Sequence, residues 1–114
     1  MVSVANEAAK ILDKIKISTE VINMHTIKPI DKDQIKKSSK NSKLLVSLEE
    51  HSIIGGLGSS ITEAMDELSL RPKLLKLGLE DKYNFSGEYN YVLEKNNLTS
   101  DGVSKSIKKE FKKL

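Results

Sequence analysis

The sequence predicts a three-layer α/β/α domain, with helices on both faces of a mainly parallel sheet of about three strands. Three observations lead there. Some windows carry apolar residues at three- and four-residue spacing, whereas others hold short unbroken apolar runs. The two kinds of window alternate, and strands separated by helices are joined most simply as parallel neighbours with crossover helices. The 114 residues show no internal repeat and no Pro/Gly/Ser-rich linker, so residues 1–114 are expected to form one domain.

Val4, Ala8, Ile11, Leu12 and Ile15 share one helical stripe, with Glu7, Lys10, Asp13 and Lys14 opposite, which predicts an amphipathic helix from about Val2 to Lys16. Val21-Ile22-Asn23-Met24 is a short β-branched apolar run and is expected to be the first strand. Pro29 stops its extension, and Asp31 is suited to cap a short helix through Ile35. Lys43 to Glu49 is almost continuously apolar, as strands covered on both faces tend to be. After a glycine-rich turn, Leu57, Ile61, Ala64, Met65 and Leu68 return to helical spacing. Ser60 and Glu63 have the spacing of a capping box, although the helix can begin a turn earlier. Pro72 closes that helix and Lys73 to Gly78 forms the third expected strand. A polar loop, Leu79 to Gly87, leads to a helix holding Tyr89, Val92 and Leu93. Thr99 is placed to cap a last helix carrying Val103, Ile107 and Phe111.

The chain is 38% hydrophobic and 31% charged, a balance suited to a packed soluble fold. Only 4% is aromatic, so aliphatic side chains must supply the core. No cysteine is present, which removes disulfides, thiolate nucleophiles and cysteine zinc sites, and is compatible with a reducing cytoplasm. The net charge is +3, but the lysines are mostly interspersed with acids. The two basic stretches, Lys36 to Lys43 and Lys105 to Lys113, lack interleaved aromatics on which bases stack. They are read as solvated helix faces, and no nucleic-acid partner is expected. No apolar run approaches the roughly 18–20 residues of a membrane span, and no secretory signal opens the chain. A cytoplasmic protein with no membrane partner is expected.

The stretch most able to carry a function is the strand-to-helix turn containing Glu49, Glu50, His51, Ser52, Gly55, Gly56, Gly58 and Ser59. Glycines permit positive φ and close backbone approach, and a helix start offers unpaired N–H groups that can cradle a phosphate or carboxylate. The spacing matches neither the dinucleotide fingerprint nor a P-loop. Two readings therefore stand together: an anion-binding or nucleotide-binding regulatory turn, and a glycine hinge that packs the helix closely on the sheet or a partner subunit. His51 is the only titratable ring beside the turn; a structural or interface role is favoured for it over catalysis. His25 is expected to make a local hydrogen bond. Glu49 and Glu50, adjacent on a strand, should face opposite ways and not work as an acid/base pair. No Gly-x-Ser-x-Gly elbow and no His-x-x-x-His pair occurs, so no catalytic triad or metal site is expected. Tyr83, Phe85, Tyr89 and Tyr91 are expected to form a packed or subunit-facing patch.

Glu49-Glu50-His51-Ser52-Ile53-Ile54-Gly55-Gly56-Leu57-Gly58-Ser59 closely resembles a segment of transketolase carboxy-terminal domains. Val21-Ile22-Asn23-Met24-His25-Thr26-Ile27-Lys28-Pro29-Ile30-Asp31 is similar to a second, and Phe85-Ser86-Gly87-Glu88-Tyr89 with Leu98 to Gly102 to a third. The three lie in family order and span nearly the whole chain. The resemblance implies a domain of a ketol-transferring enzyme that uses thiamine diphosphate and Mg²⁺, with both held by other domains and none of their ligands in this chain. It also implies a part in homo-oligomer (dimer) assembly and stability and no catalysis alone. Similar domains end 2-oxo-acid dehydrogenase β-subunits and deoxyxylulose-phosphate synthases. Family members carry a further strand ahead of the helix that opens this sequence. The expectation is an N-terminally incomplete domain, belonging with the remaining transketolase domains or with a split partner subunit.

Overall fold

The computed structural model describes residues 1–84 and 86–114. Phe85, part of the family-like ending and of the aromatic group, lies outside the described residues. The elements are α1 (Val2–Asp13), α2 (Lys32–Asn41), β1 (Leu44–Ser52), α3 (Leu57–Asp66), β2 (Lys73–Leu79), α4 (Tyr89–Lys95) and α5 (Ser100–Phe111).

Two strands form the sheet, paired in parallel through Leu44↔Lys73, Leu45↔Leu74, Val46↔Leu75, Ser47↔Lys76 and Leu48↔Leu77. Side chains alternate between faces along a strand, and the packing follows that alternation. Leu44, Val46, Leu48, Leu75 and Leu77 pack against Ala8 and Leu12 of α1 and Val103 and Ile107 of α5. Leu45 and Leu74 pack on the other face against Ile35 of α2 and Ile61, Ala64 and Met65 of α3. The three-layer α/β/α arrangement expected from the alternating windows is therefore present.

The sheet departs from the expectation of about three strands. Val21–Met24 is extended, but it belongs to no ladder and makes no backbone hydrogen bond among the described residues. A strand exists through its neighbours, since an extended run with no edge within reach has nothing to pair with. Here a groove of about 700 Å³ separates that run from the free edge of β1. The nearby Ile27↔Ile30 bridge is isolated.

The helices follow their predicted stripes, with differences at the ends. α1 closes in a Schellman turn: Lys16 takes a left-handed φ of 62°, and the Ile17 and Lys16 amides donate to the Leu12 and Asp13 carbonyls. Asp31 caps α2 as expected, accepting from the Gln34 amide at 2.9 Å. That helix runs on to Asn41, beyond the short turn expected, because Ser38 and Ser39 face the interior in place of apolar residues. Thr99 caps α5 as expected, accepting from the Gly102 amide at 3.2 Å. The Ser60/Glu63 capping box does not form. α3 starts at Leu57, so Ser60 already lies within the first turn and its hydroxyl donates back to the Gly56 carbonyl.

Candidate functional site

The carboxyl end of β1 and the turn into α3 bring the sequence-predicted residues together. Between the Leu48↔Leu77 and Ser52↔Leu79 pairs, Glu49, Glu50 and His51 stand opposite Gly78 alone. Such a bulge re-aims side chains at the end of a strand. It directs Glu49 beneath α3, where the side chain is buried. Its two oxygens accept from the first amides of the helix, Oε2 from Leu57 at 2.8 Å and Oε1 from Gly58 at 3.0 Å.

This contact satisfies helix-start donors that have no intrahelical partner, and it sets a negative charge against the positive end of the helix dipole. The rest of the turn is also closed upon itself. The Ile53 amide donates to the Leu79 carbonyl, Ile54 to the Ser52 hydroxyl and Gly55 to the Ser59 hydroxyl, at 3.0, 3.2 and 3.0 Å. An outside anion at these amides would have to displace the protein's own carboxylate.

The glycines explain the tightness of the turn. Gly55 has a φ of +75°, open to glycine at no cost. Gly58 rests directly on the sheet: a Cβ there would lie 2.7 Å from Ser47 Oγ and 2.9 Å from the Lys76 stem. At Gly56 a Cβ would strike the Glu49 carboxyl group.

Glu50 and Glu49 engage different helices. Glu50 is exposed and accepts from the Tyr89 hydroxyl of α4 at 2.8 Å. That hydrogen bond pushes the Tyr89 phenol above its ordinary pKa, with desolvation and the Glu50 charge adding to it. His51 is exposed, and its Nδ1 donates to the Ser52 carbonyl at 3.1 Å, which leaves it outside the Glu49 contact. His25 makes the expected local contact, with Thr26 Oγ1 at 2.8 Å. Tyr83, Tyr89 and Tyr91 are exposed and do not form a packed cluster within the chain.

Sequence reading missed three features. The first is the Glu50–Tyr89 link. The second is Ser47, whose fully buried hydroxyl has no partner beneath Gly58; a serine within an otherwise apolar run was the available signal. The third is the groove beside β1. Among the described residues, no three His, Cys, Asp or Glu side chains gather to hold a metal ion. No described helix is long and apolar enough to cross a membrane.

These features define a layered α/β domain whose most ligand-like turn is filled by its own carboxylate. Comparison with known proteins gives the family. The transketolase C-terminal domain family matches residues 1–103, and the chain belongs to it. A putative transketolase C-terminal section of Methanocaldococcus jannaschii is 40% identical over 109 residues, which is 96% of this chain and 34% of that protein. A 1-deoxy-D-xylulose-5-phosphate synthase of Aromatoleum aromaticum is 37% identical over 96 residues, 84% of this chain and 16% of the synthase. A solved structure described as a split gene transketolase, inactive beta4 tetramer, superposes with a TM-score of 0.81 at 34% identity, over 95% of this chain and 34% of that one. The chain therefore spans about a third or less of the length of the relatives it matches.

Proposed function

We propose that this chain serves as the carboxy-terminal assembly domain of a transketolase-type enzyme and carries out no turnover alone. The complete enzyme would transfer ketol groups between sugar phosphates with thiamine diphosphate and Mg²⁺. The observation that carries the reading is the Glu49 contact. The helix start at Leu57 is occupied from within, so the conspicuous Glu-Glu-His and glycine segment acts as a rigid hinge.

The turn into α3 does not fit thiamine diphosphate and Mg²⁺. A diphosphate asks for open amides or cations and its metal for several oxygen ligands. The amides here are taken, and no acidic group of three is assembled among the described residues. No chemical step is therefore assigned to this chain. Its proposed partners are the remaining transketolase domains, on one polypeptide or as a split subunit, within a homo-oligomer.

The test is reconstitution. The purified chain is assayed for ketol transfer with thiamine diphosphate and Mg²⁺, alone and with the M. jannaschii relative from which the matching third has been removed. No turnover alone, and a raised Tm of the shortened relative in the mixture, is expected; turnover by the chain alone refutes the proposal. Because several relatives are 1-deoxy-D-xylulose-5-phosphate synthases, a synthase parent is the second reading. Adding the chain to the A. aromaticum synthase from which the matching segment has been removed, and assaying for 1-deoxy-D-xylulose 5-phosphate, discriminates it.

A further inference from the structure

We infer that α4 is a latch arm. It is jointed at Gly87, anchored at Asn97 and Leu98, and closed onto the end of β1 by the Tyr89–Glu50 hydrogen bond, and it opens while the rest of the fold stays intact. The inference stands on the fold and is independent of the transketolase-type reading.

The arm is short and lightly held. Isolated helices below about 12–15 residues are marginal in water, so the seven residues of α4 depend on what they touch. Leu93 is the one buried residue among them. Tyr89 ties the first turn to Glu50 at 2.8 Å, and both side chains of that tie are exposed.

The two ends of the arm differ. At the far end Leu98 is 1% exposed, and its amide donates to the Leu93 carbonyl at 2.8 Å. Asn97 takes a left-handed φ of 55°, and its backbone rests directly on α5: a Cβ on Gly102 would lie 2.6 Å from the Asn97 carbonyl oxygen. That end is fixed to α5. The near end is reached through residues 80–84 and 86–88, all of them exposed. There Gly87 has a φ of +152°, which residues with side chains rarely adopt. Joints of moving segments are a few such positions that absorb the change in φ and ψ. A fixed heel, a glycine joint and a polar tie at the toe make a lever whose first turn moves most.

The tie also shares its support with the α3 clamp. Glu49 and Glu50 stand in the same bulge, so two helices hang from adjacent carboxylates. The inner contact is buried and the outer one is exposed, so water competes for Glu50 and not for Glu49. The outer contact therefore opens first. Opening frees the Glu50 carboxylate and uncovers Leu93, and it leaves α3 clamped. The end of the sheet thus has a closed state and an open one.

The test is amide hydrogen exchange on the full chain, in the parent, in Tyr89→Phe, in Glu50→Ala and in the double variant. The Val92 and Asn96 amides, which donate to the Glu88 and Val92 carbonyls, report the arm. The Ile107 amide of α5 and the Val46 amide of β1 report the rest of the fold. In the parent the arm amides should exchange at least about tenfold faster than those of Ile107 and Val46, once intrinsic rates are divided out. Each replacement should speed the arm a further three- to tenfold or about that, for loss of one exposed hydrogen bond to a charged acceptor, with Ile107 and Val46 unchanged. The double variant should be no faster than the faster single one, because both remove the same tie. Arm amides that exchange in step with Ile107 in the parent overturn the inference, as do arm rates that neither replacement alters. Equal acceleration at Ile107 would make the tie a support of the whole fold and also overturns it. So does a double variant whose acceleration is the product of the two single ones.

Discussion

Glu49→Ala removes both acceptors from the start of α3. The Leu57 and Gly58 amides lose partners at 2.8 and 3.0 Å, and the Gly58 amide lies in a buried contact. An orphaned buried donor costs about 1–3 kcal/mol. Leu57 is only half-buried, so water recovers part of its share, and the sum is about 2–4 kcal/mol. At about 4 °C per kcal/mol for a domain of this size, Tm should fall by about 8–16 °C. Glu49→Gln keeps one carbonyl acceptor and loses the charge against the helix dipole, for an intermediate cost of about 1–2 kcal/mol. Urea unfolding and calorimetry measure both. Inorganic phosphate should then raise the Tm of the alanine variant, whose amides are vacated, more than that of the parent, whose amides are filled. If the alanine variant lies within about 0.5 kcal/mol of the parent, the surface-substitution range, the carboxylate is not what closes the turn. Equal phosphate stabilisation of parent and variant would restore the anion-binding reading.

Gly58→Ala should destabilise by about 1–3 kcal/mol, because its Cβ meets Ser47 Oγ and the Lys76 stem below 3.0 Å. Ser47→Ala removes both that obstacle and an unpartnered buried hydroxyl, so it should be neutral or stabilising by about 1 kcal/mol. The double variant should cost less than the sum of the two, and strict additivity in chemical unfolding would contradict the close contact. Lys73, followed by Lys113, hydrogen-bonds the Glu110 carboxyl and holds its pKa below the ordinary value of 4.5. A carboxyl with a lowered folded pKa contributes stability that is complete above its unfolded pKa and is lost as pH falls through the folded one. Glu110→Gln should therefore flatten the stability curve in acid below about pH 4.5 and leave its shape near neutrality unchanged; identical acid limbs in parent and variant would contradict the linkage.

The layered architecture was legible because it depends on patterns that are local and regular. The 3.6-residue stripe of Ala8 and Leu12, the apolar run at Leu44 and the caps at Asp31 and Thr99 are each complete within a few residues of sequence. What escaped depends on distant or absent neighbours. Val21–Met24 has the composition of a strand, yet composition cannot supply the adjacent backbone that makes one. α2 outran its prediction because its inner face at Ser38 and Ser39 carries no hydrophobic signal. The capping-box spacing at Ser60 and Glu63 was outweighed by an acceptor eight residues upstream of Leu57, brought there by a bulge opposite Gly78. Glu49 itself was legible as a residue of interest. That its charge turns inward toward its own helix depended on three-dimensional aim.

β1 and β2 stand between two interiors, one packed against α1 and α5 and the other against α2 and α3. Leucines at successive positions of one ribbon face opposite rooms, so neither room can be loosened without shaking the wall that the other leans on. Damage on one side should accordingly be felt on the other, and unfolding should proceed as one event and not as two.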